Sequence, residues 1–172
     1  MDFIIKQAVT NDCSSIYSLM KEAAASAGKT GWFASDDLNF IKSHVSDRGL
    51  ILKACPCSTM PEEIAAFLII RFPESDPDNL GTYFNLNSTA LNHVAHMETV
   101  AVGQNYRGNS LQHLLLAAGE REAASRGFSY LMATVHPENI YSLKNFQRLG
   151  YKKLGEALKY GGLRRWILGK KI

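Results

Sequence analysis

The chain has 172 residues, enough for one domain with a substantial buried core. Hydrophobic residues make up 46% and charged residues 20%, which is ordinary for a globular protein and excludes wholesale disorder and fibrous repeats. The formal net charge of +3 is too small to indicate a nucleic-acid partner, and no apolar run reaches the roughly 20 residues of a membrane-spanning helix.

Neither the start of the chain nor its cysteines indicate a secreted or metal-binding protein. Residues 1–6 lead directly into a strand-like run and lack the basic start and cleavage site of a signal peptide, so we expect a cytoplasmic protein. Cys13, Cys55 and Cys57 cannot form a closed set of disulfides, and Cys-Pro-Cys has no second ligand pair at zinc-finger spacing. We therefore expect structural or incidental thiols and no metal.

The first half of the sequence predicts alternating strands and helices. Residues 10–12, Thr-Asn-Asp, suit the N-terminus of a first helix, and the turn at 47–49 leads into an antiparallel hairpin. The predicted elements are a strand at 3–9, a helix with an apolar stripe at 16–24 that ends at Gly28, a helix capped by Ser35 that buries Leu38, Ile41 and Val45, and strands at 50–54 and 64–71 joined by a loop at 55–63.

Two connections in this half have two interpretations each. The loop 29–33 carries Trp32 and Phe33, whose rings either line a substrate mouth or plug the core. The segment 72–92 is long for a connection in a compact domain and is rich in Pro, Asp, Asn and Ser. It is either a lid on the acceptor side or a plain insertion, with a short helix at 88–92.

A strand, a polar loop and a long helix follow between residues 96 and 127. The strand is predicted at 96–102 and the loop at 103–110, and Gly127 suits the end of the helix. Backbone N–H groups and the positive end of the helix dipole converge at such a loop, which makes it a natural phosphate seat. The helix shows an amphipathic apolar stripe, formed by Leu111, Leu114, Leu115 and Ala118.

The C-terminal part completes a mixed α/β sheet. A strand at 129–135 after the long helix implies a parallel crossover. With no internal repeat or linker, residues 1–172 are expected to form a single domain. The remaining predicted elements are a short helix that starts at Asn139, buries Leu143, Phe146 and Leu149 and closes at Gly150, and strands at 151–154 and 163–168.

The C-terminal half contains five short motifs, which are Val100-Ala101-Val102, Tyr106-Arg107-Gly108-Asn109-Ser110-Leu111-Gln112, His136-Pro137-Glu138-Asn139, Ser142-Leu143 and Leu149-Gly150-Tyr151. In their order and spacing these motifs resemble the GCN5-related N-acetyltransferase (GNAT) family. The resemblance in sequence covers residues 96–154. In the first half of the chain it depends on the order of the predicted secondary-structure elements alone. It implies a GNAT-like α/β fold, in which helices flank a mixed central sheet with a splayed pair of parallel strands.

The resemblance also implies acetyl-CoA as co-substrate and suggests its contacts. The pantetheine arm is expected along the backbone of Val100, Ala101 and Val102. Asn139, which also suits a helix cap, and Ser142 contact the arm from the next helix. The family's phosphate loop, Q/R-x-x-G-x-G/A, falls on Arg107, Gly108, Asn109, Ser110, Leu111 and Gln112, where Ser110 and Gln112 replace the two small motif residues. Ser110 can cap the helix or bind phosphate, and Gln112 points away or reaches a phosphate edge.

The implied reaction is attack of an amine on a thioester, which needs a base, oxyanion donors and an acid. Glu98 is the candidate base because the family often places a carboxylate on this strand; an exposed strand residue is the alternative. His93 and His96 alternate with Glu98 and either relay a proton or have structural roles. Thr134 stands where some members keep a glutamate, so that route to a base is absent.

For the acid, Phe146 occupies the position at which the family often has a proton-donating tyrosine, and a phenyl ring donates nothing. Tyr141 on the same helix is the first candidate, and Tyr160 in a polar loop at 155–162 is the second. Water or solvent is the remaining proton source.

The resemblance therefore implies an enzyme that moves the acetyl group of acetyl-CoA directly to a primary amine of an unidentified acceptor, either a small molecule or a protein. No nucleic acid, membrane or metal is expected as a partner, and a homodimer is compatible with the sequence. The departures at Ser110, Gln112 and Phe146 motivate an alternative, a non-catalytic acyl-CoA-binding or sensor module. A nucleotide-binding α/β protein is a weaker third hypothesis, because the sequence contains no G-x-x-x-x-G-K-[ST] loop.

Overall fold

The computed structural model describes residues 1–27, 31–58 and 63–172, and within these ranges seven strands form one mixed sheet. The strands are β1 (Phe3–Gln7), β2 (Gly49–Pro56), β3 (Ala66–Arg71), β4 (Val94–Val102), β5 (Tyr130–Val135), β6 (Lys152–Lys159) and β7 (Leu163–Lys171). The helices are α1 (Cys13–Ala25), α2 (Leu38–Ser46), α3 (Ser88–Leu91), α4 (Leu111–Ser125) and α5 (Ile140–Arg148), with 3-10 turns at Thr10–Asp12, Leu80–Phe84 and Gln104–Tyr106. The order across the sheet is β1-β2-β3-β4-β5-β7-β6.

One neighbouring pair, β4 and β5, is parallel, and its two strands separate part way along their length. Val94 to His96 pair with Tyr130 to Met132, whereas β4 itself continues to Val102. The other pairs among the described strands are antiparallel. Beyond His96, the edge of β4 that faces β5 therefore has backbone groups without a strand partner. The predicted splayed pair and parallel crossover are confirmed.

A β-bulge interrupts β4 where this gap opens. Thr99 pairs with Ile69 of β3, and Met97 pairs with the next residue, Ile70. Glu98 is therefore an extra residue without a partner on β3. A bulge bends its strand and turns the side chain of the extra residue, which brings Glu98 to the gap.

Helices cover both faces of the central strands. β2 and β3 are apolar for most of their length and almost completely buried. On one face they pack against α4 and α5, and on the other against α1 and α2. A third, smaller core forms where the segment 72–92 covers the C-terminal half of the sheet; its buried members are Leu80, Val94, Met132 and Ile167.

Two sequence predictions about helices are wrong in detail. Leu114 is exposed and Leu116 is buried instead, because the buried face of α4 is centred on Leu115 and Gly119. At about 100° per residue, Leu116 lies at the edge of this face and Leu114 lies outside it. The N-cap of α2 is Asp37 rather than Ser35.

Two loop predictions also need comment. Much of the predicted loop at 155–162 is strand, because β6 pairs with β7 along its full length and leaves only a tight turn at 160–162. Gly28 as the end of the first helix, residues 29–30 of the aromatic loop and residues 59–62 of the loop 55–63 lie outside the described residues. No helix in the described ranges is long and apolar enough to cross a membrane.

Candidate active site

An open cleft with a cavity volume of about 80 Å³ lies in the gap between β4 and β5. Its floor comes from the bulged part of β4 and the end of β5. The loop 31–37 and the start of α5 form two walls, and the turn and strand that follow β6 contribute Tyr160 and Arg165. Five separate parts of the chain therefore meet where the parallel strands separate.

Glu98, the predicted base, lies in this cleft with 11% of its side chain exposed. Its Oε2 atom is 3.4 Å from Nδ1 of His96 and 4.0 Å from Nη1 of Arg71. These two neighbours approach the same carboxylate oxygen, so they determine the orientation of Glu98 in the cleft.

The backbone selects the tautomer of His96, which is buried beside Glu98. The N–H of Leu80 donates a hydrogen bond to Nε2 of His96 at 3.1 Å. In the neutral ring the proton therefore lies on Nδ1, the atom that faces Glu98. His93 is placed differently, because its Nδ1 lies 3.1 Å from the carbonyl oxygen of Gly127 and the residue does not line the cleft.

The segment 72–92 supports the cleft from behind. None of its residues lines the cleft, which favours a structural insertion over an acceptor-side lid. Asp78 and Asp76 bind the guanidinium of Arg71, at 2.8 and 2.6 Å. These interactions, led by the hydrogen bonds to Asp78, raise the pKa of Arg71 and keep a positive charge close to Glu98.

Asp36 is a second carboxylate in the cleft, and sequence reasoning missed it. It lies in the loop before α2, and its Oδ2 accepts a hydrogen bond from Oγ1 of Thr99 at 3.4 Å. Burial, followed by the negative charge of Glu98, raises the pKa of Asp36 to about 6. The only local signal was the pair Asp36-Asp37, of which Asp37 caps α2 by accepting a hydrogen bond from Phe40 N–H at 2.8 Å.

Four aromatic side chains line the cleft: Trp32, Phe33, Phe146 and Tyr160. The position of Trp32 and Phe33 agrees with a substrate mouth, although Phe33 also packs against the core beneath α1. The hydroxyl of Tyr160 forms a 3.0 Å hydrogen bond with Oγ1 of Thr134. Although 47% of the residue is exposed, desolvation on its cleft side, followed by the charge of Glu98, raises the pKa of Tyr160 to about 12. The phenol of Tyr160 therefore stays protonated at neutral pH.

Tyr141, the first candidate for the acid, has a different environment. It is 71% exposed at the start of α5 and does not line the cleft. Phe146 lies deeper on the same helix and packs edge-on against Tyr151, with ring centroids 4.9 Å apart. The phenol that faces the cleft is consequently Tyr160 from the β6–β7 turn.

The predicted phosphate loop forms a sharp turn between β4 and α4. Gly108 and Ser110 have positive φ angles of 86° and 57°, and Ser110 is the N-cap residue of α4 without a capping bond from its side chain. Arg107 donates a hydrogen bond to Oγ of Ser26 at 2.8 Å, and Asn109 donates one to the Tyr106 carbonyl at 3.0 Å. A Cβ at Gly108 would meet no atom within 4 Å, so the turn leaves space for a ligand beside its backbone.

The other predicted cofactor residues divide between the cleft and the core. Leu111, the first residue of α4, is buried in the core. Gln112 points toward α5, where its Nε2 donates to Oγ of Ser142 at 2.9 Å and its Oε1 accepts from Asn145 at 3.0 Å. Asn139 caps α5 by accepting the N–H of Ser142 at 3.2 Å. Asn139 and Ser142 both line the cleft. The polar link through Gln112 therefore joins the first turns of α4 and α5.

The strand residues expected along the pantetheine arm lie beside the gap. Val100 lines the cleft, Ala101 packs toward α1 and Val102 packs toward the opposite core. Their backbone belongs to the part of β4 that has no partner on the β5 side. Among the described residues, no group of three or more His, Cys, Asp or Glu side chains is arranged to hold a metal ion.

Comparison with known families defines the class of this protein. The profile described as the acetyltransferase (GNAT) family matches residues 59–151, more than half of the chain. The chain belongs to this family, as its motifs predicted. A comparison with curated proteins found no match.

Solved structures of several acetyltransferases share the fold over the whole chain. The ribosomal-protein-S18-alanine N-acetyltransferase from Escherichia coli is 18% identical, with a TM-score of 0.73 over 99% of this chain and 94% of that one. The NatC complex bound to Gag peptide and CoA contains a chain that is 12% identical, with a TM-score of 0.75 over 100% and 99%. The protein yncA from Salmonella typhimurium, solved with its cofactor acetyl-CoA, is 16% identical, with a TM-score of 0.71 over 99% and 94%. The predicted GNAT-like α/β fold is confirmed.

Proposed function

We propose that residues 1–172 form a single acetyl-CoA-dependent N-acetyltransferase domain that transfers acetyl directly to a primary amine. The observation that carries this proposal is the position of Glu98. It is the bulged residue of β4, and its carboxylate faces the cleft at the point where β4 and β5 separate. A base is thereby available beside an open strand edge that can accept an extended ligand.

Acetyl-CoA fits the features around this edge. In this part of β4, which pairs with β3 on its other edge, the backbone groups that face the gap offer hydrogen bonds to the amides of the pantetheine arm, which would lie along Val100, Ala101 and Val102. The pyrophosphate would lie on the turn at 107–110, where free N–H groups of the first turn of α4 and the guanidinium of Arg107 favour an anion. Asn139 and Ser142 would contact the arm from α5. Two structures of the same fold, one solved with acetyl-CoA and one with CoA, support the choice of acetyl-CoA as the ligand.

The reaction begins at the acceptor amine. Glu98 takes a proton from the acceptor ammonium, directly or through one water, and passes it to solvent, which frees the nitrogen lone pair. The nitrogen attacks the thioester carbon, and unpaired N–H groups of β4 stabilise the oxyanion. The N–C bond is then complete and the C–S bond breaks, while Glu98 accepts the second nitrogen proton. Tyr160 protonates the departing thiolate, and solvent restores both side chains.

Tyr160 supports the catalytic interpretation over the binding-module alternative. Phe146 deprives the cleft of the usual phenol, but Tyr160 supplies a protonated phenol from the β6–β7 turn. An acid and a base therefore face the same cleft, which a module that only binds acyl-CoA does not need.

The experiment that tests the proposed function measures release of coenzyme A from acetyl-CoA with a broad panel of small amines and peptides that have free N-termini. Amine-dependent release, together with a mass increase of the acceptor by one acetyl group, is the expected result. Calorimetry that detects no acetyl-CoA binding at millimolar ligand would refute the proposal. Binding without turnover on any amine would favour the acyl-CoA sensor.

A further inference from the structure

We propose that the acceptor is a small amino acid, whose amine lies at Glu98 and Asp36 and whose carboxylate binds Arg165. This inference rests on the proposed N-acetyltransferase function and narrows the acceptor to molecules that carry both groups.

Arg165 is a buried charge that faces the cleft. The residue is only 2% exposed, yet it lines the cleft from β7. Within residues 1–27, 31–58 and 63–172, its guanidinium donates to the carbonyl oxygen of Arg164 at 3.0 Å and lies 5.5 Å from the ring centre of Tyr160, and it forms no ion pair with a carboxylate. Burial lowers the pKa of Arg165, and among the described residues the smaller opposing effect comes from the phenol of Tyr160 and not from a carboxylate.

The neighbouring residue, Arg164, has the carboxylate partner that is usual for an arginine. Arg164 points to the other side of β7, is exposed, and binds the carboxylate of Glu156 on β6. Buried guanidinium groups normally have a carboxylate or phosphate partner, because an unpaired buried charge loses its hydration without compensation. The partner of Arg165 is therefore expected to come from outside the chain.

The cleft also contains negatively charged side chains, opposite in sign to Arg165. Glu98 and Asp36 face it from β4 and the loop before α2, whereas Arg165 faces it from β7, two strands away across β5. Two carboxylates at one end suit a primary ammonium, and a guanidinium at the other suits a planar anion with two oxygens. One unpaired arginine offers a single positive charge, which matches a monoanionic carboxylate better than a dianionic phosphate.

The test compares acceptors that differ only in the carboxylate. The twenty α-amino acids, β-alanine and 4-aminobutanoate are each assayed beside the corresponding amide and carboxylate-free amine. We expect a preference of about tenfold or more for one or more of the acids. Arg165→Gln should lower kcat/KM for that acid by about 30-fold, mainly through KM, and change the rates for its amide and amine less than threefold.

Two further variants control for folding and charge. Arg164→Gln removes the exposed neighbour and should leave the preference unchanged. Arg165→Lys keeps the charge but loses the two-pronged geometry, so it should recover only part of the preference. Thermal unfolding of each variant shows whether Arg165→Gln remains folded; if it does not, Arg165→Lys alone provides the comparison.

Binding measured without turnover separates this inference from the proposed function. In the presence of coenzyme A, which carries no acetyl group, calorimetric titration measures binding of the same acids and amides. If acids bind in an Arg165-dependent way but no acetyl transfer occurs, the amino-acid site stands and the N-acetyltransferase function fails. If carboxylate-free amines are acetylated as well as the acids, or if Arg165→Gln weakens acid and amide equally, the enzyme stands and the amino-acid site is refuted.

Discussion

At the scale of residues, two carboxylates with different surroundings face one cleft. Glu98 is held by His96 and Arg71, whereas the carboxylate of Asp36 accepts a hydrogen bond from the Thr99 hydroxyl alone among the described residues. The negative charge of Glu98 disfavours ionisation of Asp36 and, after burial, contributes most to the raised pKa of that carboxyl group. The two carboxylates are therefore electrostatically coupled.

Substitution of Glu98 tests the base and this coupling together. Glu98→Gln should lower kcat/KM by about 10²-fold or more, because it removes the proton acceptor, and should leave the Kd for coenzyme A unchanged. It should also lower the pKa of Asp36 below about 6, because the charge that raises this pKa most after burial disappears. Steady-state kinetics and carboxyl NMR titration measure the two effects. Wild-type rates would rule out Glu98 as the base; Glu122→Gln, on the exposed side of α4, is the control.

The two tyrosines provide a matched comparison for the acid. Tyr160→Phe should lower kcat by about tenfold or more, since it removes the phenol proton and keeps the ring beside Arg165. Tyr141→Phe, at an exposed position, should change kcat by less than twofold. Steady-state rates measured with acetyl-CoA at several pH values provide the comparison. Equal effects of the two substitutions would reject Tyr160 as the proton donor.

At the scale of elements, the turn between β4 and α4 combines an open backbone with strain at one residue. Ser110 has a φ of 57°, a left-handed conformation that glycine adopts at lower cost than serine. The family's phosphate motif has glycine at this position, so the departure affects backbone strain as well as the approach of a ligand.

Two substitutions at Ser110 should act in opposite directions. Ser110→Gly should preserve or tighten coenzyme A binding and change the free energy of unfolding by less than about 1 kcal/mol, because relief of strain offsets the added flexibility of the unfolded chain. Ser110→Val should destabilise the protein by about 1–2 kcal/mol and weaken coenzyme A. Urea unfolding and calorimetry measure both quantities. If the valine variant is as stable as the wild type, the turn is not under strain.

Arg107 on the same turn should distinguish coenzyme A from its less phosphorylated analogues. Arg107→Ala should weaken coenzyme A by about tenfold, and dephospho- or truncated coenzyme A by less, if the guanidinium binds phosphate. Arg126→Ala at the end of α4 removes a comparable exposed charge as a control. Equal losses for all ligands would indicate that Arg107 only ties the turn to Ser26.

At the scale of the whole molecule, the cleft reduces stability because it buries charge. The pKa of Asp36 is about 6 in the folded protein and near 3.8 in the unfolded chain. Between these values the folded state binds more protons than the unfolded state, so stability falls as the pH rises through this window. The cost is absent below about pH 3.8 and fully present above about pH 6.

Asp36→Asn should therefore stabilise the protein in a pH-dependent way. At pH 8 the variant should gain about 1 kcal/mol in the free energy of unfolding, a value reduced for partial solvent screening, and near pH 4 it should gain nothing. Its acetyltransferase activity should fall at the same time. Denaturant titrations at the two pH values measure the gain, with Asp47→Asn as a control outside the cleft. An equal gain at both pH values would show that charge burial is not its cause.

Local patterns in the sequence predicted the elements, the parallel crossover and the turn before α4, and they placed Glu98 on the strand that lines the cleft. Such features depend on neighbours along the chain, through side-chain alternation, capping and turn residues. Sequence spacing also put His96 on the same side of β4 as Glu98, and the two side chains are in contact.

Only the tertiary structure decided which distant residues share the cleft. Asp36, Tyr160 and Arg165 come from a loop, a turn and a strand far from Glu98 in sequence, and they meet it because β7 lies next to β5 while β4 diverges. Their roles depend on desolvation and on the charges around them, and no local pattern records either. The order of strands across the sheet and the burial that follows from it therefore determine the chemistry of the site.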